Sequence, residues 1–207
     1  RLSGAFLLNC ELFFWTLVFS LPLGLVVAFG SMSRCAPLRG AVKTFVWIIR
    51  GTPLLLQLYF FFFLLPMMIP ALETSASFSI TLALCLNSGA YVAEVIRAGI
   101  SAVDKGQTEA ARSLGLNARQ TMTKVVFPQA IKNILPALCN EFVSIIKETS
   151  LASTFFVGDL MTTYRTINGV TYLSIEPLII VGIIYFVLTF TLSKAIAVLE
   201  RRLKTSD

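Results

Sequence analysis

The chain has no histidine, and its four cysteines, Cys10, Cys35, Cys85 and Cys139, form no Cys-x-x-Cys pair. Both absences argue against a zinc site or a disulfide framework, so each cysteine reads as a small hydrophobe. Charge is scarce as well. Only 14% of residues are Asp, Glu, Lys or Arg, against roughly 25% in a soluble domain, which must cover its surface with polar groups. No Gly-x-x-x-x-Gly-Lys-Ser/Thr run is present to cradle a nucleotide phosphate. No low-complexity linker divides the 207 residues, which therefore read as one domain, 1–207.

What fills the chain instead is apolar: 56% of it is hydrophobic. Long charge-free intervals run from Glu11 to Arg34, Arg50 to Glu73, Glu73 to Glu94 and Glu176 to Lys194. Each is near or above the ~18 residues that mark a membrane-crossing helix. A fifth stretch, Ile131 to Ile146, is apolar but interrupted by Lys132, Pro136 and Glu141. The expected class is an all-α integral membrane protein, with spans at about 8–31, 44–66, 76–98, 130–148 and 175–198. A membrane β-barrel would alternate over segments of about ten residues, and these runs do not. Leu2 to Phe29 is too long for the apolar core of a cleaved signal. The sequence begins at Arg1 rather than Met, which leaves its natural N-terminus open.

The net charge is +6, and its placement is more informative than its size. Arg34, Arg39, Lys43 and Arg50 follow the first span, and Arg97, Lys105, Arg112, Arg119, Lys124 and Lys132 follow the third. Arg201, Arg202 and Lys204 follow the last, whereas the opposite side has only Arg1, Lys147 and Arg165. Basic residues gather on the cytoplasmic side, so the N-terminus is expected outside and the C-terminus inside. A nucleic-acid-binding chain would instead place its bases on one soluble face, so no nucleic-acid partner is expected.

The inner connection, about 104–128, is the most structured polar piece. Gly106-Gln107-Thr108 leads into Glu109-Ala110-Ala111-Arg112-Ser113-Leu114, a run of good helix formers. Gly115 stops that helix, and Asn117 with Gln120 three residues later has the form of a capping box. The pattern predicts helix, glycine bend, helix, with small residues Ala110, Ala111 and Gly115 allowing close approach by another surface. Elsewhere Pro22, Pro53 and Pro66 are expected to kink or end helices. Gly24 and Gly30 are expected to serve helix packing, and the aromatic run Tyr59 to Phe63 to pack against lipid or helices.

Glu109-Ala110-Ala111, three residues, Gly115, nine residues, then Val125-Val126-Phe127-Pro128 resembles the EAA loop of ABC importer permeases. Val125 and Phe127 depart conservatively from that pattern, and its spacing is intact. Arg50-Gly51-Thr52-Pro53-Leu54-Leu55 with Gln57 resembles the polar amino-acid branch of the family. So do Gly89-Ala90-Tyr91-Val92-Ala93-Glu94 with Arg97-Ala98-Gly99, and Lys147-Glu148-Thr149-Ser150-Leu151. The resemblance covers essentially the whole chain. It implies a type I ABC importer transmembrane domain of five helices with a cytoplasmic coupling helix, in a bacterial inner membrane. It further implies a second permease subunit, identical or sister, an ATP-binding cassette subunit that carries ATP and Mg, and an extracytoplasmic solute-binding protein delivering amino acids. No cofactor is expected in this chain. Glu109, Ala110, Ala111, Arg112 and Gly115 would form the coupling lever, with Glu109 in the first helical turn where the helix dipole favours an acid.

Candidate solute contacts come from the residues themselves. Ionisable side chains within a membrane usually face the bundle interior, which selects Glu94, Glu141, Lys147 and Glu148. Lys147, Glu148, Thr149 and Ser150 supply both charge signs and two hydroxyls in a row, matching an amino acid's ammonium and carboxylate. Asn87 and Tyr91 are four apart and Glu94 three further on, which predicts one helix face. Plainer alternatives stand beside these: Glu94 pairs with Arg97 at i+3, Lys147 pairs in the neighbourhood of Glu148 or with a sister subunit, and Glu141 has a structural role. Two other functions are compatible with spans alone. An ion- or proton-coupled secondary transporter would leave the elbow unexplained and shows no internal repeat here. A non-transporting anchor would have no use for mid-membrane charge.

Overall fold

The computed structural model describes residues 2–69 and 75–204, with side chains to 198. Arg1, the loop residues Pro70 and Glu73, and the side chains of Arg201, Arg202 and Lys204 lie outside the described part. Every described element is helical: α1 (Leu2–Ser31), α2 (Ala36–Gly51), α3 (Leu54–Tyr59), α4 (Leu65–Met68), α5 (Ala76–Ser101), α6 (Lys105–Ser113), α7 (Ala118–Thr121), α8 (Phe127–Glu148), α9 (Leu160–Thr171) and α10 (Ile175–Lys204). π turns join α3 to α4 at Phe60–Leu64 and α7 to α8 at Met122–Val126, and a 3-10 stretch, Thr149–Phe155, follows α8.

The central pair is α1 against α5, the most extensive contact in the molecule. The buried seam of α1 is made of Ala5, Asn9, Leu12, Thr16, Ser20, Gly24 and Val27, spaced three or four apart. Small side chains in this seam bring the two backbones close, as expected where lipid removes the usual hydrophobic drive between helices. A methyl group on Gly24 would lie 2.6 Å from Val92 Cβ, and one on Gly89 would lie 2.7 Å from Leu23 Cδ2. Gly24 therefore has the packing role expected of it, and Gly30 opposes Val42 in the same way, at 3.1 Å. α8 packs on α5 and also touches α1, so the three share one core cluster, and α10 packs on α8.

α1, α5 and the Ile175–Val198 part of α10 are long and apolar enough to cross a membrane. α2 and the α3–α4 segment would count as one more crossing, but they meet at 107°. The interval expected as a span over 44–66 is thus broken at Pro53, one of the prolines expected to kink or end a helix. Proline disfavours a helical residue before it and lacks its own N–H, so Thr52 is extended, at φ −119° and ψ 146°. Gln57 clamps the corner. Its Nε2 donates to Ile49 O at 2.7 Å, Thr52 O at 3.1 Å and Thr52 Oγ1 at 2.9 Å, taking up carbonyls left free where α2 ends. The expected span at 130–148 is helical as α8, but Lys132, Glu141, Lys147 and Glu148 set it apart from the three apolar crossings.

Candidate functional site

The elbow is built by its caps. Asp104 accepts the Gly106 N–H at 2.6 Å, so α6 starts at Lys105, ahead of Gly106. At its other end Leu116 N donates to Ala111 O at 3.2 Å and Gly115 N to Arg112 O at 3.0 Å. These paired bonds are a Schellman cap, and Gly115 takes the left-handed conformation it needs, φ +85°. Asn117 and Gln120 then exchange two bonds of 2.9 Å, the capping box read from the sequence. The five coupling candidates divide. Ala111 is 4% exposed and packs inward, whereas Glu109, Ala110, Arg112 and Gly115 are exposed. Leu114 is 84% exposed and lies one turn from Ala110 on the outward face. A rigid apolar patch edged by Glu109 faces away from the rest of the chain.

At the far end of α5, Glu94 is half-buried and held by two arginines. Arg97 Nε donates to Glu94 Oε2 at 2.9 Å and its Nη2 to Oε1. Arg50, at the end of α2, stands 3.8 Å from Glu94 Oε1 and lays its guanidinium over the Tyr91 ring, 5.2 Å from the centroid. These residues line a basin of about 510 Å³ together with Lys43 and Trp47. Asn87 does not join them. It is buried and donates to Gln57 Oε1 at 3.0 Å. The face expected to hold Asn87, Tyr91 and Glu94 is divided between two partners: Gln57 of α3 takes Asn87, and Arg50 of α2 takes Tyr91 and Glu94.

The third region is the C-terminal end of α8. Lys147 is exposed and Glu148 half-buried. Thr149 is fully buried, accepting Asn9 Nδ2 at 2.9 Å and donating to Ile146 O at 2.7 Å. Ser150 donates to Lys147 O at 2.6 Å. Asn9 completes the knot, donating also to Tyr185 Oη at 3.0 Å and accepting Leu160 N at 2.9 Å, so it joins α1, the 3-10 stretch, α9 and α10. Glu141 sits deeper along α8 and accepts Ser88 Oγ at 3.0 Å across the α5–α8 contact. Among the described residues, no group of His, Cys, Asp and Glu is placed to hold a metal ion.

Asn9, Gln57 and Ser88 are absent from the sequence-derived candidates, and so are the three residues that extend the candidate Lys147 into a stripe along α8. Asn133, Asn140 and Lys147 are exposed and Ser144 is half-buried. They lie seven, eleven and fourteen residues from Asn133, which puts them on one helical face. Their spacing is visible in the sequence once the helix is granted.

A helical bundle with apolar crossings, one of them broken, an inward-packed small-residue seam and a capped elbow is the architecture of a multi-pass membrane protein. Its fold is that of type I ABC importer transmembrane domains. It aligns with a crystal structure of an amino acid ABC transporter with histidines at TM-score 0.89 and 44% identity, covering 97% of this chain and 92% of that one. An inward-facing MetNI methionine ABC transporter shares the fold at TM-score 0.73 and 16% identity, with 98% and 94% coverage. The chain belongs to the family described as binding-protein-dependent transport system inner membrane component, matched over residues 20–205. It is 40% identical to the arginine transport system permease protein ArtQ of Bacillus subtilis (strain 168) over 190 residues, 92% of this chain and 86% of that protein. It is 37% identical to the L-cystine transport system permease protein TcyB of the same organism over 206 residues, with 98% and 86% coverage. The chain is therefore a multi-pass inner-membrane permease subunit of an ABC importer.

Proposed function

We propose that this chain forms one half of an amino-acid translocation pathway. A solute-binding protein on the outer face loads it, and a separate ATP-binding subunit, carrying the ATP and Mg, drives it through the elbow. The other half is a second permease subunit, identical or sister. In this reading α8 is the fifth span, the N-terminus is outside and the C-terminus cytoplasmic, following the distribution of Lys and Arg. The observation that carries the reading is the elbow itself. A nine-residue helix is fixed by a cap at each end, and Glu109 and Ala110 on it, with Leu114 at its C-cap, are left exposed by the rest of the described residues. A lever needs that combination of stiffness and an open contact face.

Solute contact is assigned to Lys147, Glu148 and Ser150 at the outer end of α8, with Glu141 deeper along the same helix. Asn87 and Thr149, whose polar atoms bond inside the bundle, position helices. Tyr91 and Glu94 hold α2 against α5 through Arg50. Amino acids as the cargo class follow from the names of the relatives, which concern arginine, cystine and glutamine transport.

The test is co-expression with the neighbouring genes, purification in detergent, and ATPase measurement with and without a panel of amino acids. An ATP-binding subunit is expected to co-purify, and Ala110→Glu and Leu114→Asp to uncouple its stimulation by amino acids while the permease still inserts. Transport that proceeds without ATP or an ATP-binding subunit would establish the secondary-transporter reading instead. Normal coupling in both elbow variants would remove the lever assignment alone.

A further inference from the structure

The basin beside Glu94 carries an unbalanced charge that the transport reading leaves unused. Three cations, Lys43, Arg50 and Arg97, surround one carboxylate, Glu94. Arg97 is engaged by Glu94, but Arg50 only approaches it, at 3.8 Å, and keeps most of its donors free. Among the described residues, Lys43 has no carboxylate within 4.0 Å. Positive charge left over beside an anionic membrane surface calls for an anion.

The wall supplying the excess is distinctive. Lys43, Trp47 and Arg50 stand at i, i+4 and i+7 on α2, hence on one face. Trp47 is 77% exposed on that face. α2 meets α3–α4 at 107°, so in the orientation proposed above α2 lies along the inner surface of the bilayer while α3–α4 enters it. A helix with Lys, Arg and Trp on one face lying in the interface is built to meet headgroups. Trp favours the headgroup level, and basic pockets between membrane helices on the cytoplasmic side recognise anionic lipid.

We propose that the α2–α5 basin seats the phosphate headgroup of an acidic phospholipid from the inner leaflet, held by Lys43 and Arg50 with Trp47 at the glycerol level. The bound lipid fills the corner of the broken crossing and steadies α2 against α5. The assignment rests on the orientation proposed above, and its failure leaves the elbow test untouched, because lipid retention is read separately from ATPase coupling.

The experiment is native mass spectrometry of the assembled transporter, released from bilayers of equal phosphatidylglycerol and phosphatidylcholine. Phosphatidylglycerol is expected to be retained preferentially. Lys43→Gln and Arg50→Gln should each lower its retention about fivefold, the factor that one basic residue contributes beside an anionic surface. Lys124→Gln, outside the basin, should not. Lys43 is exposed, so its variant tests the site with the fold intact, and Lys43→Arg should restore retention. Equal retention of both lipids, or undiminished retention in Lys43→Gln, overturns the proposal. Displacement by millimolar inorganic phosphate would mean a free-anion site, and displacement by amino acids a solute site; either result overturns the lipid assignment.

Discussion

Asp159 is fully buried at the N-cap of α9, an unusual place for a carboxylate. It is kept there by donors. Met161 N and Thr162 N approach its oxygens at 3.1 and 3.2 Å, and the Thr162 hydroxyl also donates. Burial nonetheless outweighs these bonds and raises the pKa above the ordinary 3.8. An acid whose folded pKa lies above its unfolded one binds more protons when folded. Its contribution to stability is thus present below the unfolded pKa and is lost as pH rises through the folded value. Asp159→Asn keeps the cap, since Asn and Asp cap equally well, but removes that titration. The expected result is a detergent melting temperature as high as the parent's near neutral pH, or higher, and a flatter dependence from about pH 4 upward. Asp159→Ala should instead lose about 1 kcal/mol, the usual value of an N-cap. An Asn variant that melts as low as the Ala variant would show that the negative charge itself is required.

At the level of elements, the two glycines of the α1–α5 seam are not equivalent. A methyl added at Gly89 meets the far end of Leu23, a flexible side chain that can turn aside. A methyl added at Gly24 meets Val92 near its Cβ, at 2.6 Å, and a β-branched residue in a helix has nowhere to turn. Gly24→Ala is expected to destabilise by about 1–3 kcal/mol, the range for overpacking, and Gly89→Ala by clearly less, as read from thermal melts in detergent. Equal losses would mean that the helices separate rather than the side chains adjusting. Elements such as the elbow were legible in the sequence because their determinants are local: Gly115 and the Asn117–Gln120 box act within a few residues. The sharp corner at Thr52-Pro53 was only half legible. Proline announces a break, but its angle is held by Gln57, whose partner Asn87 is thirty residues away. The knot around Asn9 was not legible at all, since Thr149 and Tyr185 reach it from 140 and 176 residues along the chain. Polar residues that bond across a bundle look, in sequence, the same as polar residues awaiting a ligand. Asn87 and Thr149 are two such residues, and their polar atoms bond within the bundle.

At the scale of the whole molecule, the question is which surface of this subunit meets water. α10 offers Ile179, Ile183, Phe186 and Phe190 to its surroundings, all at least half exposed and all apolar, as lipid requires. α8 offers Asn133, Asn140, Ser144 and Lys147 on one face, which lipid does not tolerate cheaply. A membrane helix with a polar stripe is turned either to a water-filled pathway or to a polar partner. The proposed function requires the pathway. In a chain whose Cys10, Cys35, Cys85 and Cys139 are replaced by serine or alanine, single cysteines at 133, 140 and 144 are expected to react with a small, charged, membrane-impermeant thiol reagent. A cysteine at Ile183 is expected not to. Saturating amino acid, together with the binding protein, should slow labelling at 144, one turn from Lys147, more than at 133. Uniform protection of the stripe in the assembled transporter would mean that the second permease subunit covers α8. The pathway would then have to be sought along another wall, and Lys147 and Glu148 would become contacts between subunits. Labelling along the stripe that ignores both solute and nucleotide would leave a wet crevice without transport, and the assignment of solute to this face would fall.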